Sequence, residues 1–138
     1  MRAVVMLCDH AEVADGKLFI NGGGWEMISG ETGSPTGLAV LIYVPWDQTN
    51  QKRKLHVSLV DQDGRPAMQH IGNAQGPIQV DIEFEVGRPP GLKPGSEVRI
   101  PFALNFPPMK LQPNSAYTWV LETDGEEVGR ASFGTRAK

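Results

Sequence analysis

The run Ile78-Gln79-Val80-Asp81-Ile82-Glu83-Phe84-Glu85-Val86 decides the fold class. Its even positions are apolar and its odd positions are polar or acidic, a strict period of two. An extended chain with that period buries one side and wets the other, as an antiparallel strand does; a helix would scatter the same side chains around its axis. The phase returns at Val98, Ile100, Phe102, Leu104 and Phe106. Pro101 points the opposite way and has no N–H for a ladder, so this second strand is predicted at an edge or at a bulge.

Upstream, Leu55, Val57 and Leu59 alternate with His56 and Ser58 and run into the turn Asp61-Gln62-Asp63-Gly64. Residues 38–44 are continuously apolar and predict a central strand covered on both sides, stopped by Pro45. Downstream, Tyr117, Trp119 and Leu121 lead to Asp124-Gly125, after which residues 128–133 return as a hairpin partner. Residues 3–8 and 17–20 bracket a second such turn at Asp15-Gly16. No longer window has a period of 3.6. The expectation is an all-β chain, a single antiparallel β-sandwich over residues 1–138 with about eight or nine strands.

Composition agrees. Of 138 residues, 16 are Gly and 11 Pro, well above the average of roughly 12% for the two together, as short elements and tight turns require. The net charge of −3 gives no electrostatic reason to expect nucleic acid or an anionic membrane as partner. One cysteine cannot form an intramolecular disulfide, so a cytoplasmic setting is expected. The apolar run at residues 3–8 is too short for a signal-peptide core, and Leu7 before Cys8 is not the small residue of a lipoprotein site.

Leu111-Gln112-Pro113-Asn114-Ser115-Ala116-Tyr117 resembles the tyrosine corner of immunoglobulin-like and fibronectin type III sandwiches, in which a Leu-x-Pro turn enters a strand whose early Tyr bonds the corner backbone. That resemblance implies an immunoglobulin-like architecture for the C-terminal half.

Chemistry-bearing motifs are sparse. Asn21-Gly22-Gly23-Gly24 is followed by Trp25-Glu26-Met27-Ile28, a strand-like run rather than the helix a phosphate loop needs, so it predicts a kink that lets Trp25 pack. Cys8, Asp9, His10, Glu12 and Asp15 form the densest cluster of ligand types, but zinc calls for a second Cys or His pair, and only His56 and His70 remain. Cys8 and His10 would share a face of one strand. The turns holding Asp61, Asp63, Asp124, Glu126 and Glu127 would bind calcium if they met at one end of the sandwich; the same residues serve hairpin turns for backbone reasons alone. No Gly-x-Ser-x-Gly elbow is present and Cys8 lies in apolar surroundings, so neither an enzyme nor a cofactor is expected. Lys52-Arg53-Lys54 predicts a solvated strand end.

Two stretches have the character of recognition surface. Pro45-Trp46-Asp47-Gln48-Thr49-Asn50 sets a large aromatic in a polar turn, and Gly87-Arg88-Pro89-Pro90-Gly91-Leu92-Lys93-Pro94-Gly95 is a stiff loop carrying Arg88, Leu92 and Lys93. Trp and Arg are favoured interface anchors, and proline lowers the entropy lost on ordering.

Several phrases together resemble a family of small proteins from actinobacteria and their phages that carry a domain of unknown function: Cys8-Asp9-His10-Ala11, Asp15-Gly16-Lys17-Leu18, Gly22-Gly23-Gly24-Trp25, Val44-Pro45-Trp46-Asp47, Glu85-Val86-Gly87-Arg88-Pro89-Pro90-Gly91 and Pro107-Pro108-Met109. The resemblance implies a stand-alone domain and assigns no activity. The expected function is a non-catalytic protein-interaction or structural module, a homo-oligomer or part of a larger assembly such as a virion, with a calcium-dependent or small-ligand binding domain as the alternative.

Overall fold

The computed structural model describes residues 1–30, 34–71 and 74–137. Among them the regular structure is all-β, apart from one 3-10 turn at Trp46–Gln48. The strands are β1 (Arg2–Cys8), β2 (His10–Ala14), β3 (Lys17–Asn21), β4 (Met27–Ser29), β5 (Thr36–Val44), β6 (Lys52–Asp61), β7 (Met68–Ile71), β8 (Ala74–Pro77), β9 (Gln79–Glu85), β10 (Val98–Phe106), β11 (Ala116–Thr123) and β12 (Glu126–Arg136). The count exceeds the expected eight or nine. β2, β7 and β8 are only four or five residues long, too short to stand out in sequence, and β7 and β8 also lack alternation.

They form several sheets. A three-stranded sheet has the order β1-β5-β10, and a five-stranded sheet, curled into a half-barrel, has the order β4-β12-β11-β6-β9. Two ribbons, β2-β3 and β7-β8, complete the fold. Neighbours pair antiparallel except β4, which runs parallel to β12. β5 is central as its apolar run predicts, and β10, with Pro101 opposite Leu41, is an edge strand.

The two larger sheets share one core. From β5, Leu38, Val40, Ile42 and Val44 point inward; from β6, Leu55, Val57 and Leu59; from β11, Trp119 and Leu121; all are fully buried. Each such aliphatic side chain contributes about 1.5–3 kcal/mol of burial free energy. Trp119 stacks on Phe106 at 4.5 Å, and Phe84 meets Phe102 edge-on at 5.4 Å, so ring contacts join β10 to both β11 and β9. On the other side β12 runs directly against β1: a Cβ on Gly129 would lie 2.9 Å from the Ala3 carbonyl oxygen.

Both Asp-Gly turns form as expected. Asp15 and Gly16 have φ of 52° and 70°, Asp124 and Gly125 of 53° and 80°, the left-handed pair that suits a two-residue hairpin. At the predicted tyrosine corner, Tyr117 is buried and its hydroxyl accepts the Gln112 N–H at 2.9 Å.

Candidate interaction surfaces

The fold brings the two predicted recognition loops together. The Arg88 guanidinium lies 3.9 Å from the centre of the Trp46 ring, its Nη2 donates to the Trp46 carbonyl at 2.7 Å, and its Nε donates to Thr49 Oγ1 at 2.9 Å. The Asn50 N–H donates to the Val86 carbonyl at 2.7 Å, tying the loop before β6 to the one after β9. Leu92 is half-buried against the core, while Asp47 and Lys93 face solvent. Trp46 and Arg88 therefore spend much of their binding capacity on each other. Arg53, expected to be solvated, has a side chain only 12% exposed; it pairs with Asp124 and donates to the Gln48 carbonyl and Gln51 Oε1.

The acidic turns do not converge. β6 and β11 pair Tyr117 with Asp61 and Thr123 with Leu55, so Asp61 and Asp63 lie at one end of these strands, Asp124 and Glu126 at the other. At about 3.4 Å per residue the two ends are some 20 Å apart, which rules out one calcium site built from both. Asp61 Oδ1 accepts the N–H groups of Asp63 and Arg65, the backbone role of an Asx turn, and Asp124 is held by Arg53.

The cluster near the N-terminus is also divided. The chain bends at Asp9, whose N–H reaches the carbonyls of Asn21 and Gly22, so Cys8 ends one strand and His10 begins another. Cys8 is fully buried, whereas His10 is exposed and pairs with Glu12 at 3.1 Å. Burial pushes the Cys8 thiol above its ordinary pKa, and the neighbouring Asp9 charge pushes it further. After the bend, β2 passes over Gly37 of β5 and reaches Asn105 of β10, so the β2–β3 ribbon lies across the outer face of the three-stranded sheet. Ala11 and Leu18 pack there on Cys8, Ala39 and Ala103.

The outer faces of the two larger sheets differ in chemistry. On the five-stranded sheet the register sets Lys52 opposite Glu85, Lys54 opposite Glu83 and His56 opposite Asp81, the last pair in contact at 2.7 Å. That face is charged. On the three-stranded sheet the rows are Arg2, Tyr43 and Arg99; Val4, Leu41 and Pro101; Met6, Ala39 and Ala103; then Cys8, Gly37 and Asn105. The ribbon covers the last row and part of the third. The second row, with Met6 beside it, is an apolar floor on which Val4 is 51% and Met6 44% exposed, bordered by the two arginines of the first row.

The model of a family of unknown function, DUF6941, matches residues 3–135. The chain belongs to this family. No curated protein and no solved structure matches it. The DUF6941 match takes in both the Trp46–Arg88 pair and the apolar floor.

The sequence does not disclose that floor. The apolar run in β5 reads as covered on both sides, yet Leu41 and Tyr43 are only half-buried on the outer one. The glycine run has the predicted effect: Gly22 and Gly24 take φ of 61° and 88°, and Trp25 packs edge-on to Phe133 at 5.6 Å. Strand β4, however, begins only at Met27. Beside Trp25 lies an open depression of about 580 Å³ lined in part by Asp9, Ser34 and Arg136. Among the described residues no group of three or more His, Cys, Asp or Glu is placed to hold a metal, and no helix is long and apolar enough to cross a membrane.

Proposed function

We propose that this chain is a non-catalytic protein-interaction module that docks through the outer face of β1-β5-β10. One observation carries the reading: the five-stranded sheet wears a charged outer face, while the three-stranded sheet leaves Val4, Met6, Leu41 and Pro101 as a contiguous apolar floor. Contiguous apolar surface rimmed by polar residues is the chemistry of an interaction site. We read the architecture as an immunoglobulin-like sandwich with the β2–β3 ribbon added on one side; the shared core and the Tyr117 corner support this. A structural component of a larger assembly would use the floor in the same way.

A photo-crosslinking residue in place of Met6, compared with one in place of Glu83 on the charged face, tests the docking face in cells carrying the gene. The expected result is a protein adduct from position 6 alone. Absence of that adduct, or equal adducts from both positions, overturns the proposal.

A further inference from the structure

We infer that the partner on this floor is a second copy of the chain, packed face to face about a two-fold axis; the inference rests on the docking reading above. The chain carries both halves of the contact. The ribbon lies on the outer face of the three-stranded sheet, where Gly37 lets the β2 backbone approach closely, and covers only the end of that face near Cys8. This makes a step: a bare floor beside a raised ribbon. A two-fold axis lying in the interface and crossing the strands turns the second copy so that its ribbon fills the first copy's bare floor, and the reverse. Two ribbons then lie side by side between the two sheets, an isologous contact that closes on itself.

The side chains fit that packing. On the ribbon's outward face stand His10, Glu12, Lys17, Phe19 and Asn21, all exposed. Phe19 is 53% exposed, the most exposed large hydrophobic residue among the described ones, and it sits in otherwise polar company. In the proposed dimer it rests on Leu41 and Pro101 of the partner copy. Charge is complementary as well. The bare end of the floor ends in Arg2 and Arg99 on either side of Tyr43, with their guanidinium carbons 3.7 and 5.2 Å from its ring centre. Arg99 is exposed and has no ion-pair partner among the described residues. The exposed carboxylate of Glu12 lies opposite Phe19 on the ribbon, and the two-fold turn brings it to Arg99 of the other copy.

Sedimentation velocity on the intact chain from about 1 to 200 μM decides this. The expected result is a concentration-dependent doubling of the 15.0 kDa mass. Phe19→Ser should weaken self-association by about tenfold or more, as the loss of a central anchor does. Glu12→Arg and Arg99→Glu should each weaken it, and the two together should restore it. All three positions are exposed, so thermal unfolding should stay near wild type. A wild-type chain that is monomeric throughout, a dimer indifferent to Phe19→Ser, or no recovery in the double variant overturns the inference. A monomer combined with a position-6 adduct heavier than two chains removes the second copy and leaves the docking reading standing.

Discussion

Asn105 grips Ala11 by both of its backbone groups: Oδ1 accepts the Ala11 N–H at 3.0 Å, and Nδ2 donates to the Ala11 carbonyl at 2.8 Å. The side-chain amide thus takes the place of a neighbouring strand and fastens the β2–β3 ribbon across the end of the three-stranded sheet. Asn105→Leu keeps the bulk and removes both bonds. It should cost about 1–3 kcal/mol by denaturant unfolding, because two partly buried backbone groups lose their partners. Since the ribbon shields Cys8, the thiol should also react faster with a disulfide reagent under native conditions; unchanged labelling would show that the ribbon is held by other means.

Tyr117→Phe isolates the corner hydrogen bond. The ring remains stacked near Phe133 at 5.8 Å, while the Gln112 N–H loses its acceptor. A loss of about 1 kcal/mol is expected, read as a lower urea midpoint at unchanged slope. A change in slope would mean that the corner organises more of the chain than its single bond.

Arg88→Lys tests the Trp46 contact. Lysine keeps the charge but lacks the planar fork that stacks on the ring while donating to both Trp46 and Thr49. About 1 kcal/mol should be lost, and the Trp46 indole N–H resonance should shift while that of Trp119 stays in place.

Cys8 supplies a pH dependence. Its pKa in the folded chain is raised, chiefly by desolvation and then by the Asp9 charge. Ionisation therefore penalises the folded state more than the unfolded one. The contribution is fully present below the unfolded thiol pKa of about 8.5 and is lost as pH rises beyond it toward the folded value. Stability measured between neutral and strongly alkaline pH should fall less steeply in Cys8→Ala than in wild type. Parallel curves would place the alkaline loss elsewhere.

Much of this fold is written locally. The alternation in β6, β9, β10 and β11 marks buried faces because successive strand side chains point to opposite sides, whatever the neighbours are. Asp15-Gly16 and Asp124-Gly125 name their hairpins through the φ values they tolerate, and Leu111 to Tyr117 carries its own short-range hydrogen bond. The bend at Asp9 escapes such reading because its N–H finds acceptors twelve and thirteen residues away, at Asn21 and Gly22. For the same reason Cys8 and His10 look like neighbours on one strand and are not.

The sequence alone thus determines an all-β chain, its main strands and hairpins, and a net charge of −3. Those properties depend on periodicity, turn chemistry and composition, each of which acts within a few residues. Which apolar residues are left uncovered is settled by packing between distant segments. Val4, Leu41 and Pro101 come from three strands far apart in the chain, and they form a floor only because β5 pairs with β1 on one side and β10 on the other while the ribbon stops short of them. Trp46 and Arg88 likewise spend their binding groups on each other only because two loops 42 residues apart are joined at one end of the sheets.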